Sequence, residues 1–195
     1  MITDDYIASL RRDIEFTATL RDQSYRFRST WGLFSPREID AGTQLLAEHM
    51  TIDAEDDCID LGCGYGPIGL VMARNAVGGQ TWMLDKDFIA VDYAQRNAAL
   101  NGLTNVSATL SNGLAAVRDK PADLVASNLP AKVGKELLYL FLADARHMLN
   151  PGGRLYVVTI TGLRRFIERN FNEVFGNYTK VKQGKDYTVA LAKKQ

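Results

Sequence analysis

A glycine-rich segment, Asp60-Leu61-Gly62-Cys63-Gly64-Tyr65-Gly66-Pro67-Ile68-Gly69, carries the strongest chemical signal in this chain. An apolar run precedes it and an amphipathic run follows it, so the pattern predicts a strand, a turn and a helix. Alternating glycines let a ligand approach the backbone closely, and Pro67 suits the first turn of a helix. Free amide groups at a helix N-terminus attract negative charge. The segment therefore predicts a ligand site at the end of a strand.

Polar residues also follow three other predicted strands. Asp85 ends the predicted strand 80–85, 25 residues after Asp60. Asn112 follows the predicted strand 105–110, and Asn128 ends the predicted strand 123–128. In open α/β sheets the ligand lies beyond the carboxyl ends of the strands, so these side chains are expected near the glycine turn. Each has a simpler interpretation: Asp85 as a solvated acid, Asn112 as a turn residue, and Asn128 as the cap of a loop.

The glycine turn alone leaves two cofactor classes open. Gly64 to Gly69 also matches the G-x-G-x-x-G pattern of dinucleotide folds, and Asp85 lies about 20 residues on, where such folds place an acid. A nicotinamide-dependent oxidoreductase is therefore a competing hypothesis. Asp60 before the turn, the Asn-x-Pro sequence at Asn128-Leu129-Pro130 and a C-terminal hairpin resemble features of class I methyltransferases, and this resemblance favours that class.

The elements that must position these residues follow a strand–helix alternation after residue 56. Alternation of this kind predicts a parallel, doubly wound α/β sheet. Two further strands at the C-terminus, 178–183 and 187–192, predict an antiparallel hairpin that completes a seven-stranded, Rossmann-like sheet. We expect residues 1–50 to be a helix and hairpin extension packed on a core of residues 51–195. Predicted strands are 14–20, 24–29, 57–61, 80–85, 105–110, 123–128 and 154–160; predicted helices are 3–12, 40–50, 67–76, 87–101, 134–149 and 162–171.

Bulk properties exclude several classes. The 195 residues carry no net charge, contain two cysteines and 46% apolar residues, and show no apolar run long enough to span a membrane. A disulfide scaffold is disfavoured, no zinc-ligand pattern is evident, and the N-terminus lacks signal-peptide features. We expect a cytoplasmic protein without a metal, and leave monomer and homodimer open.

Charge is unevenly distributed along the chain. Residues 151–195 hold nine basic and three acidic side chains, whereas the rest of the chain is acidic. A basic segment can contact phosphate groups, and the alternative is an ordinary solvated surface.

The sequence is identified as resembling the "methyltransferase small" domain family of class I S-adenosylmethionine-dependent methyltransferases. The resemblance covers roughly residues 14–192. It rests on the glycine turn, on Asn128-Leu129-Pro130 with Gly134-Lys135, and on two upstream segments, Trp31-Gly32-Leu33-Phe34-Ser35 and Ile39 to Leu46. This family includes ribosomal RNA guanine-N2 methyltransferases of the small subunit. The resemblance implies methyl transfer from S-adenosylmethionine to an exocyclic amine, most plausibly guanine N2 of ribosomal RNA.

The resemblance also implies roles for individual residues. Asn128, with Pro130 beside it, would orient the amine, Asp85 would bind the ribose, and Asn112 would contact the adenine. Gly32, Phe34 and Thr43 would lie over the cofactor. The full set of implied cofactor residues is Asp60, Gly62, Cys63, Gly64, Gly66, Asp85, Lys86, Asn112, Gly113, Gly32, Phe34 and Thr43.

Two departures from the family pattern affect substrate recognition. Leu129 replaces the first proline of the Asn-Pro-Pro-aromatic motif, and Ala131 stands where an aromatic residue often stacks on the target base. RNA contact could instead fall on the N-terminal hairpin, where Tyr25 and Phe27 lie among Arg21, Arg26 and Arg28, or these residues could simply pack on the domain. A methyltransferase for a small molecule or a protein, and a cofactor-binding module without turnover, remain alternatives.

Overall fold

An N-terminal helix and hairpin precede the main sheet in the computed structural model, which describes residues 2–129 and 134–195. Helix α1 (Asp4–Leu10) leads into strands β1 (Ile14–Leu20) and β2 (Gln23–Ser29), which pair as a separate two-stranded antiparallel sheet. Arg21 and Asp22 form the hairpin turn with positive φ angles of 51° and 60°, as a type I′ turn requires.

The hairpin is anchored to the domain on its inner face. Tyr25 and Phe27 are 0% and 1% exposed, and the Phe27 ring meets the edge of Tyr65 in the glycine turn. The hypothesis that these two rings stack on RNA is therefore wrong, because neither reaches solvent. The Arg26 guanidinium donates to the carbonyl of Leu100, so the hairpin is packed on the domain.

A seven-stranded sheet follows, and its strands alternate with helices. The elements are α2 (Ala41–His49), β3 (Cys58–Leu61), α3 (Pro67–Asn75), β4 (Thr81–Asp85), α4 (Phe88–Leu100), β5 (Val106–Leu110), β6 (Ala122–Asn128), α5 (Lys135–Met148), β7 (Leu149–Ile160), α6 (Arg164–Phe175), β8 (Thr179–Gln183) and β9 (Tyr187–Lys193). The strand order is β5-β4-β3-β6-β7-β9-β8. The first five strands are parallel, and β9 runs antiparallel to both β7 and β8. The predicted Rossmann-like fold is confirmed.

Two apolar cores, one on each face of the sheet, hold the helices in place. One core includes Leu70 of α3 and Ala94 of α4, and the other includes Leu142 of α5 and Phe171 of α6, all at most 2% exposed. The strand order reverses between β3 and β6, and ligands of doubly wound sheets bind at such a reversal. The fold thus places the ends of β3 and β6, with the glycine turn and Asn128, at the position expected for a cofactor.

Strand β7 begins earlier than its sequence predicts. Residues 149–153 contain a proline and two glycines, which predict a turn, yet the strand already pairs Leu149 with Ala122. The amide of Gly152 also donates to the carbonyl of Lys194. Pairing with other segments of the same chain therefore extends the strand through residues whose local preference is a turn.

Candidate functional site

The glycine turn forms a cradle of open backbone at the end of β3. Gly62, Gly64 and Gly66 have φ angles of +76°, +55° and +98°, which strongly favour glycine. A side chain at Gly62 or Gly64 would meet no atom within 4 Å, so both face open space. The amides of Gly62 and Cys63 donate to the carbonyl of Leu84 in β4. Burial raises the pKa of the Cys63 thiol, which leaves it neutral.

Asp60 supports the turn from inside the protein. Its carboxylate is fully buried, and its Oδ2 accepts a 2.7 Å hydrogen bond from the amide of Gly69 in α3. Gly69 must be glycine because a Cβ would lie 2.3 Å from the side chain of Met83. Burial, with a smaller contribution from Asp85, raises the pKa of Asp60 to about 7. Its Oδ1 is buried and has no hydrogen-bond partner among the described residues.

Asp85 lies beside the glycine turn, as the sequence predicts. Its Oδ2 accepts a 2.9 Å hydrogen bond from the amide of Gly64, and its Oδ1 accepts one of 3.0 Å from the amide of Asp87. A carboxylate offers about four acceptor positions, so two remain for a ligand. These bonds fix the carboxylate at the rim of the cradle, where it can accept from a pair of vicinal hydroxyls.

The end of β5 adjoins Asp85 through the backbone. The amide of Ser111 donates to the carbonyl of Asp85, and this bond places Asn112 and Gly113 next along the same edge. Asn112 is exposed, with its amide group free of hydrogen bonds to the described residues. Lys86 is also exposed, and among the described residues neither side chain forms a hydrogen bond with the turn.

The loop between β2 and α2 lies against the glycine turn. The Tyr65 hydroxyl donates toward the carbonyls of Ser35 and Glu38, both at 3.1 Å. Phe34, in this loop, is 66% exposed, and Gly32 adopts a φ of +98°. Tyr65 therefore connects this loop to the cradle, a link that the sequence analysis did not identify.

Asn128, at the end of β6, is held by two residues at the start of α2. Its Nδ2 lies 3.0 Å from Thr43 Oγ1 and 3.2 Å from Asp40 Oδ2. Asp40 is the N-cap of α2 and also accepts from the amides of Gly42 and Thr43. The sequence analysis missed Asp40, although an aspartate before a helical run is a recognisable capping signal.

This arrangement determines which way the Asn128 amide faces. A carboxylate can only accept hydrogen bonds, so the group that faces Asp40 must be the NH₂ and not the carbonyl. The Oδ1 consequently faces away and accepts no hydrogen bond from the described residues. Asn128 thus presents an oriented acceptor at the site.

Leu129 extends the β6–β7 pairing by one residue. Its amide donates to the carbonyl of Val158 at 3.0 Å, a bond that a proline cannot make. Its side chain is 4% exposed and belongs to an apolar core. The departure from the family motif at this position is therefore a packing feature. Pro130 and Ala131 lie outside the described residues.

Residues from four strand ends meet in this region, and their features fit S-adenosylmethionine. Open space faces Gly62 and Gly64, the rim carboxylate of Asp85 retains acceptor positions, and Asp60 Oδ1 is unpartnered. Within residues 2–129 and 134–195, no cluster of side chains suitable for a metal ion is found. No helix of those residues is long and apolar enough to cross a membrane.

Comparison with known proteins identifies the family. The model of the "Methyltransferase small domain" matches residues 24–191. The uncharacterized protein YbxB of Bacillus subtilis (strain 168) is 31% identical over 179 residues, which cover 90% of this chain and 89% of that protein. A ribosomal RNA large subunit methyltransferase G from Pectobacterium atrosepticum is 28% identical over 87% of this chain and 46% of its own length.

A solved structure agrees with the sequence relatives. The T. thermophilus 16S rRNA N2 G1207 methyltransferase (RsmC), in complex with AdoMet and guanosine, is 26% identical and superposes with a TM-score of 0.85. The match covers 94% of this chain and 51% of that one. This chain therefore spans about half the length of both ribosomal RNA methyltransferases.

Proposed function

This chain belongs to the methyltransferase small domain family and is an S-adenosylmethionine-dependent methyltransferase, and we propose that its acceptor is an exocyclic amine, guanine N2 of ribosomal RNA. One observation carries the amine assignment. Asn128 presents an oriented carbonyl oxygen to which no described residue donates, and its amide nitrogen is fixed by Asp40 and Thr43.

The cofactor residues are assigned from their positions around the cradle. The open backbone at Gly62 and Gly64 faces the methionine part, and Asp85 accepts from the ribose hydroxyls. When bound, S-adenosylmethionine would supply a methyl carbon attached to a positively charged sulfur. As the acceptor nitrogen bonds to that carbon, the C–S bond breaks and its electron pair stays on the sulfur. Asn112 borders the adenine end of the cofactor. The segment that covers the cofactor contains Gly32, Phe34 and Thr43.

Asn128 acts on the acceptor by orientation. Its Oδ1 accepts a hydrogen bond from an N–H of the amine, which turns the nitrogen lone pair out of that direction and toward the cofactor. Positioning of this kind contributes strongly to reactions between two bound groups. The nitrogen gives up one proton after the new N–C bond forms, and solvent can take it, so no side-chain base is needed.

Two relatives support ribosomal RNA as the acceptor. The T. thermophilus enzyme and the Pectobacterium enzyme are both ribosomal RNA methyltransferases, and the former is bound to guanosine. They act on different subunits, so together they support the RNA class, and the guanine amine is supported by the T. thermophilus enzyme alone. Ala131 does not supply the aromatic ring of the family motif, and Phe34 is an exposed aromatic candidate on the covering loop.

The test is transfer of labelled methyl from S-adenosylmethionine to unmodified ribosomal RNA of both subunits. Asn128→Ala should keep cofactor affinity and lose most turnover, because it removes the amine acceptor and leaves the glycine turn and Asp85 in place. Asn172→Ala is the matched control, since Asn172 is exposed on α6 and, within the described residues, its side chain bonds only the carbonyl of Glu168. Digestion of the labelled RNA to nucleosides should yield N2-methylguanosine.

Three results would contradict the proposal. Wild-type turnover by Asn128→Ala would remove this residue from the mechanism. Label on a ring nitrogen or a carbon would exclude an exocyclic amine. Label on protein or small molecules, with none on RNA, would replace the acceptor while leaving the methyltransferase assignment intact.

A further inference from the structure

Five cations form a surface at the carboxyl end of the sheet, which is the end where Asn128 lies. The members come from three elements that are distant from the glycine turn in sequence: the start of α6, strand β8 and the β8–β9 turn. We name this surface the basic edge, and it consists of Arg164, Arg165, Lys180, Lys182 and Lys185.

The pairing of the strands fixes the position of the basic edge relative to the site. Asn128 pairs with Val158, Val158 pairs with Val189, and Val189 pairs with Lys182. These residues form one row across the sheet. At a strand spacing of about 4.8 Å, the backbones of Asn128 and Lys182 are roughly 14 Å apart.

A second contact joins the basic edge to the residues that hold Asn128. Tyr187 begins β9 directly after the β8–β9 turn, and its ring packs on Gly42 so closely that a Cβ there would lie 2.8 Å away. Gly42 is in the first turn of α2, next to Asp40 and Thr43. The β8–β9 turn is therefore seated beside the amine-orienting residues.

The basic edge has positive charge without ion pairs. Arg164 Nη1 and Lys180 Nζ both point at the neutral oxygen of Gln183, at 3.1 Å and 3.4 Å. Within residues 2–129 and 134–195, none of the five cations forms an ion pair with a carboxylate. Asp186 and Glu168 are the carboxylates nearest in sequence, and both are exposed.

The start of α6 adds to this positive potential. The helix has 12 residues, begins with Arg164 and Arg165, and receives no side-chain cap from Leu163. Cations in the first turn oppose the helix dipole, whereas an anion there would be stabilised by it. The local electrostatics is therefore unfavourable until an anionic partner binds.

We propose that the basic edge binds the sugar–phosphate backbone of single-stranded RNA next to the nucleotide that reaches Asn128. This inference rests on the proposed function. A strand that crosses the carboxyl end of the sheet, from the β8–β9 turn toward Asn128, would place one nucleotide at the acceptor oxygen and its neighbours on the cations. The basic edge then supplies affinity, and Asn128 supplies selection of the amine.

The test measures the salt dependence of RNA binding, without turnover. Lys180→Gln/Lys182→Gln/Lys185→Gln is compared with Arg118→Gln/Lys120→Gln/Lys193→Gln, three exposed cations near the amino ends of the parallel strands. The probe is a fluorescent single-stranded fragment of ribosomal RNA. Each lost phosphate contact reduces the slope of log K against log salt by about 0.7.

We expect the basic-edge variant to lose about 2 units of slope and roughly tenfold or more in affinity near 0.15 M salt. The control should bind as the wild type does, and both variants should keep the wild-type affinity for S-adenosylmethionine. Arg164→Gln/Arg165→Gln, made separately, should reduce the slope by about 1.4.

Several outcomes would overturn this inference. Equal losses in both triple variants would show only a general charge effect, and an unchanged slope would remove the basic edge from RNA binding. Poly-glutamate that competes as well as RNA would identify an acidic protein partner instead. Methyl transfer to RNA with an unchanged slope would refute this inference alone, whereas strong RNA binding without methyl transfer would refute the proposed acceptor alone.

Discussion

Replacing Asp40 by asparagine tests whether this residue orients Asn128. Asparagine caps helices about as well as aspartate, so α2 should remain intact. The new carboxamide can also donate to Asn128 Oδ1, which permits the Asn128 amide to turn over and present its NH₂ to the substrate. An amine cannot donate a hydrogen bond to that group. The change therefore removes the acceptor while it leaves the fold and the cofactor cradle in place.

The size of the effect follows from the contact that is lost. Asp40 Oδ2 lies 3.2 Å from Asn128 Nδ2, and hydrogen bonds to charged groups contribute about 1.5–3 kcal/mol. Asp40 is partly exposed, so the lower value applies, and about 1.5 kcal/mol corresponds to roughly a tenfold fall in kcat. Thr43 Oγ1, at 3.0 Å, still favours the original orientation and limits the loss.

The assay combines steady-state methyl transfer at saturating cofactor, calorimetric binding of S-adenosylmethionine and thermal unfolding. We expect Asp40→Asn to lower kcat with little change in cofactor affinity or Tm. Glu38→Gln is the control, because it removes the same charge from an exposed position of the same loop. Wild-type kcat in Asp40→Asn would refute the orienting role, as would an equal loss in Glu38→Gln.

Two further predictions concern the cradle. Asp85→Ala should weaken S-adenosylmethionine binding by about 10- to 100-fold, since contacts to two ribose hydroxyls are lost; calorimetry measures this, and unchanged affinity would exclude the ribose role. Asp60 has a folded-state pKa raised from 3.8 to about 7 by burial, so the folded protein holds its proton more tightly than the unfolded chain does. Its contribution to stability is present below about pH 4 and is lost as pH rises toward 7. Thermal unfolding from about pH 5 to 8 should therefore show wild type losing stability relative to Asp60→Asn, and parallel curves would contradict the raised pKa.

The local structure of short segments in this protein is predictable from the sequence alone. Alternating glycines at 62, 64 and 66 predict a turn, and the structure has that turn, with positive φ angles at all three. Apolar periodicity predicted most strands and helices to within a few residues, because period-2 and period-3.6 patterns are properties of short segments. The family motif at Asn128 likewise depends on a few adjacent residues.

Burial and pairing were decided by the tertiary structure. Tyr25 and Phe27 are residue types that could stack on bases, but the hairpin packs them against the domain. The alternation of the strand predicts that they share one face of the hairpin, but it does not say whether that face is buried or exposed. The turn-like segment at 149–153 became strand because Leu149 and Gly152 found partners elsewhere.

The features that define the proposed mechanism are also tertiary. Asp40 and Asn128 are separated by 88 residues, and Lys182 enters the row of Asn128 only through two intervening strands. A sequence read locally identifies an N-cap, a strand end and a basic segment as three unrelated features. The order of strands in the sheet brings them to one edge, because parallel strands place their carboxyl ends side by side whatever their separation along the chain.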